Sequence, residues 1–126
     1  MLTKTTNIAP WLSVSSGAKA VDFYQKGFGA EEVYRLGEGD AVIISQLSVD
    51  GALFWIQEDS ASSPEVLGQG SVRMILTVDN PDAMFEKAVS AGAKEIAPIY
   101  EEHGWRIGRI EDPFGHHWEI GKITVE

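Results

Sequence analysis

The residues best equipped for chemistry in this 126-residue chain lie near its end, where His116, His117 and Glu119 follow the stretch Asp112-Pro113-Phe114-Gly115. Imidazole nitrogens and carboxylates are donors that a divalent metal accepts, and they are also groups that move protons. Spacing limits what these three can do together. Adjacent strand residues point to opposite faces, so His116 and His117 cannot chelate one ion from a regular strand. His117 shares a face with Glu119, whereas His116 shares the other face with Trp118 and Ile120. His103 falls in a polar loop. No spacing supports a Ser-His-Asp triad, and the absence of cysteine removes thiolate chemistry, disulfides and Cys-ligated metals. Gly37-x-Gly39 and Gly68-x-Gly70 lack the third glycine and the following helix of a nucleotide-binding loop. Four tryptophans are rich for this length. Trp11, Trp55 and Trp105 offer stacking or cation–π surfaces to a flat or cationic ligand; the alternative is that they fill the fold or pack a dimer seam.

These side chains must be carried by a small set of elements. Helices are expected over about Ala18–Phe28, capped by Ser15 or Ser16, and about Pro81–Ala91, capped by Asn80 with Pro81 at the first position. Both run into a Gly-Ala pair, Gly29-Ala30 and Gly92-Ala93, where glycine can adopt the left-handed conformation that ends a helix. Strands are expected at Ile8–Val14 and Val72–Val78 before the helices. Glu32–Leu36, Ala41–Val49 and Ala52–Gln57 follow the first helix; Glu95–Tyr100, Trp105–Glu111 and His116–Ile120 follow the second. Turn chemistry separates them at residues 37–40, at Asp50-Gly51 and at residues 112–115.

The same unit is written twice. Val14 and Val78, Leu12 and Leu76, Gly51 and Gly115, and Ile56 and Ile120 all stand 64 positions apart, with one residue of slippage in the helices. Such an internal repeat decides architecture more strongly than local propensity. The expectation is an α+β fold of two βαβββ modules, about residues 7–60 and 70–124, in a single domain spanning 1–126. Alternation puts Leu12, Val14, Phe54, Met74 and Leu76 under the helices. It puts Trp11 and Ser13, then Leu53, Trp55 and Gln57, then Arg73, Ile75 and Thr77 on the open side.

Composition narrows the partners. A formal charge of −9 and a pI near 4.7 disfavour nucleic-acid binding, which needs clustered Lys and Arg. No apolar run approaches a membrane span, and the opening Met1–Thr6 carries no hydrophobic signal segment. A cytoplasmic location is the default expectation. An acidic surface can also attract a cationic ligand.

The run Gly108–Ile120, with Asp112-Pro113-Phe114-Gly115 leading into His116-His117-Trp118-Glu119-Ile120, resembles a turn-and-strand signature of the vicinal-oxygen-chelate superfamily, the glyoxalase, bleomycin-resistance and extradiol dioxygenase fold. The opening Ile8–Val14, followed by Ala20–Tyr24 and Phe28-Gly29-Ala30, resembles its PhnB-like branch. The resemblance covers nearly the whole chain. It implies curved mixed sheets forming cups, helices on the convex side, and in many members a homodimer whose cups draw one module from each subunit.

Metal-dependent relatives place a ligand on the first and last strand of each module. On this sequence those positions are Ala9, Trp55, Arg73 and Glu119. Ala9 has no lone pair, the Trp55 indole only donates, and Arg73 is a fixed cation, so Glu119 alone matches. Arg73 and Glu119 are instead expected to lie near each other. No metal or cofactor is expected, which puts glyoxalase and dioxygenase activity in doubt.

Two functions compete. One is a protein that binds and sequesters an aromatic or cationic small molecule, through Trp11, Trp55, Arg73, His117 and Glu119 gathered in one cavity. The other is a lyase, isomerase or dioxygenase-type enzyme using Glu119 as base, with or without a divalent metal. A guanidinium beside a carboxylate favours its charged form, which weighs against the base. An interaction module with a filled cup is a third possibility.

Overall fold

In the computed structural model the described residues are 8–61, 63–64 and 72–124. Gly68 and Gly70, the N-terminal residues through Asn7, and the first residues assigned to the second module lie outside them. The order is β1 (Trp11–Val14), α1 (Gly17–Phe28), β2 (Glu31–Leu36), β3 (Ile44–Val49) and β4 (Ala52–Glu58). Then come β5 (Arg73–Thr77), α2 (Pro81–Ser90), β6 (Lys94–Glu102), β7 (Trp105–Glu111) and β8 (His117–Ile123). Both halves are therefore βαβββ units, and each builds a four-stranded mixed sheet, β1-β4-β3-β2 and β5-β8-β7-β6. First and last strands pair in parallel in each sheet, and the repeat holds to the residue. Trp11 stands opposite Trp55 and Leu12 opposite Ile56; 64 positions on, Ile75 stands opposite Glu119 and Leu76 opposite Ile120.

Local chemistry explains the boundaries. Ser16 accepts from the Lys19 amide at the start of α1, and Gly29 closes that helix at φ 68°, where a side chain would be strained. Asn80 accepts from the Ala83 amide at the start of α2, with Pro81 next. Gly17 is needed for packing: a Cβ there would overlap the Val42 carbonyl oxygen. Some strands differ from the sequence expectation. β1 begins at Trp11 because Pro10 has no N–H, although its carbonyl still accepts from Trp55 N at 2.9 Å. β3 begins at Ile44, because Ala41 N turns back to Glu38 O after the glycine-rich turn. β8 begins at His117, since the His116 amide is drawn to the Asp112 carboxylate, and it runs on to Ile123.

Alternation sets the faces. Leu12, Val14, Phe54, Ile56, Leu76, Trp118 and Ile120 are buried on the helix side, joined by Tyr24, Phe28 and Phe85 from the helices, with Met74 and Val78 partly buried against them. The two modules share this core. Trp118 of β8 meets Phe28 of α1 edge-on at 4.8 Å and Phe54 of β4 at 5.3 Å. No helix among the described residues is long and apolar enough to cross a membrane.

A buried carboxylate ties this core together. Asp112 accepts from Tyr24 Oη at 2.6 Å and from Trp118 Nε1 at 2.9 Å. It also accepts from the Phe114 and His116 amides, at 2.9 and 3.0 Å. Burial pushes the Asp112 carboxyl above its usual range, against the pull of these donors, and pushes the Tyr24 phenol up as well. Tyr24→Phe should cost about 1–3 kcal/mol of unfolding free energy by denaturant titration, because it leaves a buried acceptor one donor short. Asp112→Asn should cost a similar amount, since its amide NH2 would face the Trp118 N–H. The pH sign follows from the raised carboxyl. Its contribution to stability is fully present below the unfolded Asp range and is lost as pH rises through the higher folded value. The gap between wild type and Asp112→Asn should therefore narrow from acid toward neutral pH. A gap that widened instead would overturn this account.

Candidate functional site

The open faces of the two sheets carry different chemistry. On the first, the Trp11 and Trp55 rings stack with centroids 5.8 Å apart and planes 26° apart. Tyr34 meets Trp55 edge-on at 5.9 Å, and Trp11 Nε1 donates to Gln57 Oε1 at 3.1 Å. Trp11 is half exposed at the end of this stack.

The second face is ionic. Arg73 Nε lies 3.3 Å from Glu119 Oε2, a diagonal pair across β5 and β8. On β7, Arg109 stands opposite Glu119 and Glu111 opposite His117. His117 Nε2 is 3.7 Å from Glu111 Oε1, too far for a hydrogen bond. Further along this face Ile75, Tyr100, Trp105 and Ile107, with Glu102 and His103, line a hollow of about 220 Å³. His116 turns to the other side, its Nε2 2.8 Å from the Ser13 carbonyl oxygen.

The five candidate residues thus form two groups within one chain: the Trp11–Trp55 stack, and Arg73, His117 and Glu119. The groups approach at the seam between β1 and β5. Trp11 and His117 line one cavity there of about 290 Å³. Arg73 lines a neighbouring one of about 510 Å³ together with Ala9 and Leu53. Trp55 and Glu119 line neither of these two. Tyr34, Arg109 and Glu111 were not among the candidates. The face of Tyr34 is hidden from simple alternation by a register shift between Glu32 and Tyr34. Arg109 and Glu111 could have been found by pairing β7 with β8 through the turn at 112–115.

The positions at which metal-dependent relatives hold their ion do not fit one here. They present a methyl group, an indole N–H, a guanidinium and one carboxylate, and the guanidinium already lies against the carboxylate. No group of three or more His, Cys, Asp or Glu side chains is arranged to hold a metal among the described residues.

Two βαβββ modules of this register, with these open faces, define a vicinal-oxygen-chelate protein. A model of the Glyoxalase/Bleomycin resistance protein/Dioxygenase superfamily matches residues 6–120, and the chain belongs to that superfamily. An uncharacterized protein of Mycobacterium bovis is 35% identical, the match covering 94% of this chain and 84% of the relative. Among solved structures, TioX from Micromonospora sp. ML1 superposes with a TM-score of 0.76 at 21% identity, covering 96% of this chain and 98% of that one. The fosfomycin resistance protein FosX from Mesorhizobium loti gives 0.72 at 14% identity, covering 98% and 96%. At these identities the two structures show a common fold.

Elemental analysis of protein purified without chelators should find no stoichiometric zinc, nickel, manganese or iron. Roughly one tightly held ion per chain would contradict the donor-set argument.

Proposed function

We propose that the protein is a metal-free binder of a flat aromatic small molecule, in the manner of the bleomycin-resistance side of its superfamily. The observation that carries this is the Trp11–Trp55 stack, in which Trp11 is half exposed on an open sheet and Tyr34 meets Trp55 edge-on. A half-exposed indole backed by a second one is a good surface for a flat ring to stack on. A cationic ligand is less favoured, because the Glu119 charge on the second sheet is already paired with Arg73. The same pairing disfavours Glu119 as a free general base, so an enzyme of the isomerase or lyase type is the weaker reading. The opening Ile8–Tyr24 favours the PhnB-like branch, and a cytoplasmic setting suits a cysteine-free chain.

The proposed site is completed by a second copy. Leu53 of β4, Ile75 of β5 and Val72 just before β5 are exposed. These apolar side chains flank the open faces, and a two-fold partner covering them would bring the tryptophan face of one chain to the ionic face of the other. Light scattering at micromolar concentration should give a dimer; a monomer would remove this part of the reading.

For an aromatic ligand found by thermal shift, Trp55→Ala should weaken binding by about 1 kcal/mol or more, the scale of an aromatic contact beyond its buried area. Calorimetry showing unchanged affinity would sink the stacking role.

A further inference from the structure

Two shielded donors on the open face of the second sheet have no hydrogen-bond partner among the described residues. Arg109 Nε is shielded from solvent and finds no hydrogen-bond partner, and its guanidinium forms no salt bridge among the described residues. Both ring nitrogens of His117 are likewise shielded and without a hydrogen-bond partner, and in either tautomer one of them carries a hydrogen. A buried donor left unpaired is costly, and native structures rarely keep one without a reason. Here there are two, on one face and close together. Arg109 stands opposite Glu119 and His117 opposite Glu111 on adjacent antiparallel strands. They are therefore diagonal neighbours, a spacing of about 7 to 8 Å between backbones that long side chains bridge easily. The carboxylates of this stretch do not answer the need. Glu119 is turned to Arg73, and Glu111 stays 3.7 Å from His117 with Lys94 opposite it on β6.

We propose that Arg109 and His117 form a subsite for an oxyanion, the carboxylate or phosphate group of the ligand. An oxygen placed between them accepts from Arg109 Nε and from the His117 ring, and a guanidinium is the donor best matched to such a group. The hollow at Ile75, Tyr100, Trp105 and Ile107, which Glu102 and His103 also line, continues the same face, so the anionic group and an apolar body have separate places. This rests on the small-molecule-binding reading and adds to it the charge of the ligand. It also explains how an acidic chain could select an anion: by local unpaired donors rather than by its overall field.

The test uses full-length protein labelled with 15N-histidine, titrated with inorganic phosphate, phenyl phosphate, benzoate and neutral benzamide. The three histidines give separate reporters; His103 lines the hollow and not the subsite, so inorganic phosphate, which has no apolar body, should leave it unmoved. The anions should shift the His117 signals saturably, and benzamide should not. In Arg109→Met anion affinity should fall at least about tenfold, the scale of a charge-assisted hydrogen bond. Arg109→Lys, which keeps the charge and loses the fork, should fall between. Arg109→Met should melt no lower than wild type, because the donor it removes is unpaired; a merely structural arginine would show the opposite. Anions that leave His117 unmoved, or that bind Arg109→Met as well as wild type, overturn the subsite. Phosphate binding without any tryptophan fluorescence response to phenyl phosphate or benzamide would keep the subsite and count against the stacking reading. Equal binding of benzamide and benzoate would do the reverse.

Discussion

A carboxylate buried in an aromatic core is an awkward object for a small protein, and this fold is arranged around one. Asp112 closes the turn between β7 and β8 by accepting two amides, which is a local matter. Its second oxygen reaches beyond the turn to Tyr24 in the first module and Trp118 in the second. Those two aromatic side chains lie in the centre of the shared core, against Phe28 and Phe54. One side chain therefore sets the turn, the rotamer of a core tryptophan and the position of α1 over the other module's sheet. A second polar contact across the modules, His116 to the Ser13 carbonyl, holds β1 beside the start of β8. The lateral relation of the two open faces depends on these ties, because among the described residues no strand of one sheet pairs with a strand of the other.

That arrangement explains which parts of the molecule were legible in the sequence. Anything governed by local periodicity or by the repeat could be read. The cap at Asn80, and one at Ser15 or Ser16, follow from capping chemistry; the helix-side residues Leu12, Val14, Phe54 and Leu76, and the open-side placement of Trp11, Trp55, Arg73 and Glu119, follow from alternation plus the 64-residue offset. Contacts between elements far apart in the chain could not be read this way. The Tyr24–Asp112 bond spans 88 positions and obeys no period. The bulge in β2 moved Tyr34 out of simple parity. The relation between the tryptophan group and the ionic group depends on how two sheets lie across a seam, and strand parity says nothing about that.

The duplication also separates what burial demands from what it leaves free. Equivalent helix-side positions kept their character: Leu12 and Leu76, Ile56 and Ile120, and Val14 and Val78 meet the same need to fill space beneath a helix. Equivalent open-side positions did not. Trp55 corresponds to Glu119, Trp11 to Ile75, Leu53 to His117 and Ala9 to Arg73 under the same offset. The two sheets are thus alike in register and different in chemistry, one aromatic with an amide, the other ionic. A fold needing only to fill its cups would have no physical reason to make their linings so unlike. A ligand with a flat part and a polar part does supply one, since stacking and ion pairing ask for incompatible surroundings. Stacking gains from apolar contact and tolerates imprecise position. A charged hydrogen bond needs donors held in place and shielded from competing water. Dividing these tasks between two copies of one scaffold lets each sheet meet its own requirement, while the helix-side core, which the copies share, holds both to a common frame.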